Sequence, residues 1–96
     1  CMGFEDFEWD PDKERLNVRK HKVRFTYAVR VFLDPSRLDV VDDREEYGEE
    51  RRVTTGRIEE RVFVVVYTDR GEVIRLISAR KADASEEEDY VRHLQT

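Results

Sequence analysis

Apolar and polar residues alternate along this chain in two periods, helical in the first third and strand-like afterwards. Phe4-Glu5-Asp6-Phe7-Glu8-Trp9 alternates with aromatic character and predicts a short edge strand. Asp10-Pro11 reads as a helix start, with Asp at the N-cap, Pro in the first turn and Asp12 near the positive dipole end. That helix should run from Pro11 to His21, and Lys20, His21 and Lys22 place cations at its negative end. After the connector Val23-Arg24-Phe25-Thr26, a second helix opened by Thr26 or Arg24 should reach Leu33. Ala28, Val31 and Phe32 form its apolar stripe. Asp34-Pro35 ends it, because a residue before proline is pushed out of the helical region.

The period then changes to two. Leu38 to Val41 predicts a short strand, followed by an acidic loop from Asp42 to Glu50 that contains Tyr47-Gly48. Arg51 to Ile58 reads as a strand interrupted at Gly56, Glu59-Glu60 as a tight turn, and Arg61 to Thr68 as the strongest strand. Asp69-Arg70-Gly71 suits a hairpin turn before a return strand from Glu72 to Arg80. Ser85 and Glu88 have capping-box spacing for a last helix, Glu86 to Leu94, with Tyr90, Val91 and Leu94 apolar. The expected order is β-α-α-β-β-β-β-α: an α+β domain over residues 1–96, with an antiparallel meander, two N-terminal helices and one C-terminal helix on one face.

Strand alternation places Ile74 and Leu76 toward the helices and Arg75 on the other face, with Ser78 and Arg80 at a strand end where the rule loosens. Val62, Val64 and Val66 oppose Phe63, Val65 and Tyr67, so both faces of the strongest strand are apolar. A second chain is expected to cover one of them, as a homodimer or a heteromeric complex.

Composition narrows the class. The chain has 96 residues, 39% hydrophobic and 43% charged, which leaves room for one small core beneath an ionised surface. No apolar run spans a bilayer, and no charged-then-apolar leader is present, so a cytoplasmic protein without membrane contact is expected. The single cysteine, Cys1, excludes an internal disulfide and a cysteine-based zinc cage. Cys1 precedes Met2, which reads as the natural start, so Cys1 is expected to be an appended residue.

The net charge of −5 hides strong blocks: +6 over residues 13–37, −6 over 39–50 and +4 over 51–81. Such blocks can put a basic surface on an acidic protein, although charge alone favours a salt-bridged, solvated surface. Fourteen of the eighteen bases are Arg, which favours bidentate contact with carboxylate or phosphate. The same bias, with one Asn and one Gln, fits heat adaptation.

Familiar catalytic motifs are missing. Gly3, Gly48, Gly56 and Gly71 are scattered, so no loop cradles phosphate. His21 and His93 lie far apart without a third ligand, and no metal site or cofactor is expected. Ser78 and Ser85 lack a nucleophile context, and Asp42-Asp43 belongs to a solvated acidic run. What remains is a basic set in which Arg51, Arg52, Arg75 and Arg80 could share a sheet region with His21. For each Arg the alternative is a surface ion pair, and for His21 a plain role at the helix dipole.

An ordered series of residues then resembles the BrnT-type toxins of bacterial type II toxin–antitoxin systems. The series is Trp9-Asp10, Lys13, Asn17, Lys20-His21, Val23, Phe25, Ala28 and Phe32-Leu33-Asp34-Pro35. It resumes at Glu50-Arg51-Arg52, Gly56, the valine strand, and Ile74 through Arg80, before the acidic last helix. Two positions depart from the pattern: Lys22 stands where Gly usually follows Lys-His, and Arg24 where a capping Ser is common.

The resemblance implies a RelE-like fold and a metal-independent ribonuclease that halts translation, acting on RNA, including ribosome-associated RNA. It also implies a cognate antitoxin that neutralises the chain and alone contacts operator DNA. Cleavage through the ribose 2′-OH needs a base, an acid and cations around the phosphorane. His21 would be the acid–base group, since histidine titrates near neutrality. Lys20, Arg52 and Arg80 would stabilise charge, Arg75 and Arg51 would bind RNA, and Tyr67 would stack a base or donate a proton. Two readings compete: a module that only binds protein or RNA, and a degenerate toxin that retains antitoxin binding without cleavage.

Overall fold

The computed structural model describes residues 6–42, 51–69 and 73–95. Phe4, Glu5, most of the acidic loop and the tip of the last hairpin lie outside those residues. Five strands form one sheet in the order β1-β5-β4-β3-β2. They are β1 (Asp6–Glu8), β2 (Leu38–Asp42), β3 (Arg51–Ile58), β4 (Arg61–Asp69) and β5 (Val73–Lys81). The helices are α1 (Pro11–His21), α2 (Phe25–Ala28) and α3 (Ala84–Leu94). The architecture is the expected α+β class, and β4 occupies the middle of the sheet. Among the described residues no helix is long and apolar enough to cross a membrane.

β2 through β5 are antiparallel, but β1 runs parallel to β5, pairing Asp6 with Val73 and Glu8 with Arg75. The sheet is therefore mixed rather than a pure meander. Residue pattern shows that β1 is an edge strand, but its partner follows 67 residues later, beyond any local signal.

α1 starts as its residues dictate, with Asp10 accepting from the Asp12 N–H at 2.9 Å and Pro11 in the first turn. The second predicted helix is shorter. α2 makes one turn and tightens into a 3-10 segment over Val29–Leu33. Arg24 has no capping side chain; Glu14 of α1 instead accepts the Phe25 N–H at 3.0 Å. The β-branched Val29 and Val31 favour no long α continuation. At α3 the capping box is Asp83 with Glu86, one frame earlier than Ser85 with Glu88. The earlier frame wins because Glu86 both caps the helix and pairs with Arg80.

The helices are not segregated to one face. α1, α2 and the 3-10 segment bury Phe25, Ala28 and Val31 against Phe63, Val65, Tyr67, Ile74, Leu76 and Ala79. α3 meets Arg57, Val62 and Arg80, which the register places on the opposite face. Tyr90 reaches over the β3 edge and donates its hydroxyl to Asp34. Asp34 also accepts the N–H groups of Ser36 and Arg57, at 2.8 and 2.9 Å. Burial works against its charge, but these hydrogen bonds hold its carboxyl below the usual range.

Gly56 does not interrupt β3, which continues to Ile58. A Cβ there would lie 3.0 Å from Val31 Cγ1 and 3.1 Å from Arg37 Cβ, so glycine lets the 3-10 segment lie on the strand. β5 carries a bulge opposite the Val66–Tyr67 step. The extra residue shifts the alternation, so Ala79 faces the core and Ser78 and Arg80 the other side. The Ile74-Leu76-Ser78-Arg80 face expected from strict alternation is thereby broken.

Candidate functional site

Asn17 anchors the end of α1. It is 6% exposed, and its Nδ2 donates to the carbonyls of Val23 and Ala79, each at 2.8 Å. Its Oδ1 accepts the Ala79 N–H at 3.0 Å. One side chain thus ties the helix to β5 and to the segment leaving the helix. His21 follows one turn later on the same face, half-buried, with Lys20 exposed beside it. Lys22 closes the helix in the left-handed region, φ 63°, its N–H donating to the Val18 carbonyl at 2.9 Å.

Next to this helix end lies an open groove of about 730 Å³, with Lys22, Arg24, Arg61 and Lys81 in its wall. Tyr27 and Phe63, ring centroids 5.6 Å apart, supply apolar surface, and Glu59 and Glu60 an acidic rim. Glu59 is 3.7 Å from Arg30, whose guanidinium lies 5.5 Å from the Tyr27 ring.

A second centre occupies the far end of the same sheet face. Arg52 stands directly opposite Tyr67 across β3 and β4. Asp39 on β2 joins them, accepting from Arg52 Nε at 2.8 Å and from the Tyr67 hydroxyl, with Arg37 Nε at 3.9 Å. The hydrogen bond to Asp39 raises the Arg52 pKa. Burial and then the Asp39 hydrogen bond push the Tyr67 phenol up to about 12. It is therefore protonated at neutral pH and can donate but not act as a base. The Tyr67 ring is 3% exposed and packs edge-on against Phe32, which leaves its hydroxyl rather than a stacking face for a ligand.

A family model described as "Ribonuclease toxin, BrnT, of type II toxin-antitoxin system" matches residues 9–86 of the 96. The chain belongs to the BrnT family. No curated protein matches it in sequence. The BrnT match begins at Trp9, packed edge-on against Phe25, and ends at Glu86, the partner of Arg80. It thus contains every basic residue predicted as a site.

On this BrnT chain those residues fall into three groups. Lys20 and His21 stand together at the end of α1, next in sequence to the groove residue Lys22, though neither lines the groove. Arg52 and Tyr67 share that sheet face, but Tyr67 lies four residues along β4 from the groove residue Phe63, about 13 Å. The remaining three, Arg51, Arg75 and Arg80, lie on the opposite face. Arg75 donates to Glu8 at 3.0 Å, and Arg80 grips Glu86 with two bonds of 2.7 and 2.6 Å. The Arg80 contact holds the Glu86 carboxyl below the usual range.

Ion pairing separates the groups further. Arg52, Arg75 and Arg80 each carry a carboxylate partner. Among the described residues, Lys20, His21, Lys22, Arg24, Arg61 and Lys81 enter no ion pair. Sequence reasoning missed Asp39 and the groove. The lone carboxylate in Leu38-Asp39-Val40-Val41 was a usable signal for the first, since it demands a cation across the ladder.

Proposed function

We propose that this chain is a metal-independent endoribonuclease that arrests translation and is neutralised by a cognate antitoxin. Membership of a ribonuclease-toxin family carries the reading. The structural support is the pair Lys20 and His21 at an accessible helix end, held by Asn17 and free of carboxylate partners among the described residues.

In the proposed reaction His21 takes the proton of a ribose 2′-OH as that oxygen bonds to phosphorus. The P–O5′ bond breaks, and the departing oxygen takes a proton from the Lys20 ammonium. The products are a 2′,3′-cyclic phosphate and a 5′-hydroxyl end. Arg52, on the same sheet face, contacts a flanking phosphate, with Asp39 as the carboxylate that RNA must displace from it. The Tyr67 hydroxyl serves as a hydrogen-bond donor.

Inducible expression with and without the antitoxin gene, scored for growth and RNA ends, tests this. RNA with new 5′-hydroxyl ends is expected. His21→Ala and Lys20→Ala should each lower cleavage about a hundredfold, the scale of one lost charge-stabilising or proton-transfer group. Full toxicity in both folded variants refutes the site. An absence of any RNA cleavage by the wild type refutes the enzyme and favours a binding module.

A further inference from the structure

Four cations from three segments converge on the groove beyond α1: Lys22 and Arg24 from the connector after the helix, Arg61 from the start of β4 and Lys81 from the end of β5. None is in an ion pair among the described residues, on a protein whose net charge is −5. Elsewhere exposed Arg15 and Arg92 pair with Asp12 and Asp89, and Arg19 and Arg57 enter no ion pair among the described residues but stand singly, so the groove is set apart by the clustering of its cations. Cations held together in this way repel one another; the groove's own carboxylates, Glu60 and the Arg30-paired Glu59, offset this only in part, which favours a bound anion.

The backbone adds an independent sign. Among the described residues only Lys22 and Glu59 are non-glycine residues with positive φ, 63° and 58°, and both line this groove. A left-handed C-cap is a glycine position on conformational grounds. Keeping a lysine there costs stability and gains a cation in the wall.

We infer that this groove binds a single-stranded RNA segment, its backbone on Lys22, Arg24, Arg61 and Lys81 and a base against the half-buried ring of Tyr27, which Phe63 supports from beneath. The inference rests on RNA being the target and adds a binding subsite beside Lys20 and His21. Phosphate needs the cations, whereas the aromatic wall distinguishes a nucleotide from a plain polyanion. An acidic protein segment would use the charge but make no use of the Tyr27 ring surface.

The test is fluorescence anisotropy with a short 2′-O-methylated oligoribonucleotide, which binds but cannot be cleaved through its 2′ oxygen. Arg61→Ala and Lys81→Ala should each weaken binding about fivefold near 0.1 M salt and reduce the salt slope by about 0.7, the signature of one lost phosphate contact. Lys22→Gly should weaken binding while raising the urea midpoint, a combination that misfolding cannot produce. Glu60→Gln should tighten binding, and Arg92→Ala should change nothing.

Unchanged affinity in the three cation variants, or no binding by the wild type, overturns the subsite. So does polyglutamate competing as well as RNA at equal charge, which would assign the groove to an acidic protein segment. The enzyme reading fails separately. Groove-dependent binding without cleavage of ordinary RNA removes the ribonuclease and leaves the subsite. Cleavage unaffected by the groove variants does the reverse.

Discussion

Truncating Asn17 to Ala should be among the most damaging single changes away from the apolar core. The side chain makes three hydrogen bonds at 2.8, 2.8 and 3.0 Å in a site that leaves it 6% exposed. Alanine would strand the Val23 and Ala79 carbonyls and the Ala79 N–H. At about 1 kcal/mol net for each bond, with a further desolvation cost for groups left unpaired, the loss should be about 3–4 kcal/mol. A domain of this size has ~5–15 kcal/mol in total, so the variant should approach the margin of folding. Trp9, the only tryptophan, packs against Phe25 and reports unfolding directly by fluorescence in urea. The midpoint should fall with little change in slope. Asn17→Asp sharpens the test, because it keeps the shape but faces two carbonyl oxygens with a carboxylate. Its folded pKa should therefore rise, making Asn17→Asp less destabilised at low pH than at neutrality. A loss below about 1 kcal/mol for Asn17→Ala would show that water replaces the side chain and that α1 is held by other contacts.

Two further expectations concern titration. Tyr67 and Tyr90 are both pushed up to about 12, by burial and by their bonds to Asp39 and Asp34. A raised pKa means that the native state holds its proton more tightly. The stability this contributes is complete below the ordinary tyrosine value and disappears as pH rises through the folded value. Absorbance at 295 nm should accordingly show a late phenolate component that loses amplitude in Tyr67→Phe and again in Tyr90→Phe; a titration unchanged by either variant would refute the assignment. Glu86 has the opposite sign, lowered chiefly by its hydrogen bonds with Arg80. Its contribution is present above the ordinary glutamate pKa of about 4.3 and is lost as pH falls through the lower folded value. Glu86→Gln should cost about 1 kcal/mol at neutral pH and nothing near pH 2, measured as urea midpoints across pH; a pH-independent cost would mean that only the helix cap matters.

Elements with strong local signals were legible from residue pattern: Pro11–His21 with its cap and cations, and the valine strand in mid-sheet. What escaped depends on partners distant in sequence. The parallel seat of β1, the Ile77 bulge and the shortened second helix are settled by packing, because the residues involved fit more than one local conformation. The candidate site divides for a related reason. Arginines inside strands, such as Arg52 and Arg75, have cross-strand neighbours, and the sheet supplies Asp39 and Glu8 at bonding distance. Cations at element ends face no carboxylate: Arg61 stands opposite Ile58 and Lys81 opposite Phe63, while Lys22 closes α1 outside the sheet, and none of the three enters an ion pair among the described residues. Sequence pattern draws attention to arginines in regular strands. Physical chemistry favours the ones at the element ends, where a phosphate meets a charge that no carboxylate has already neutralised.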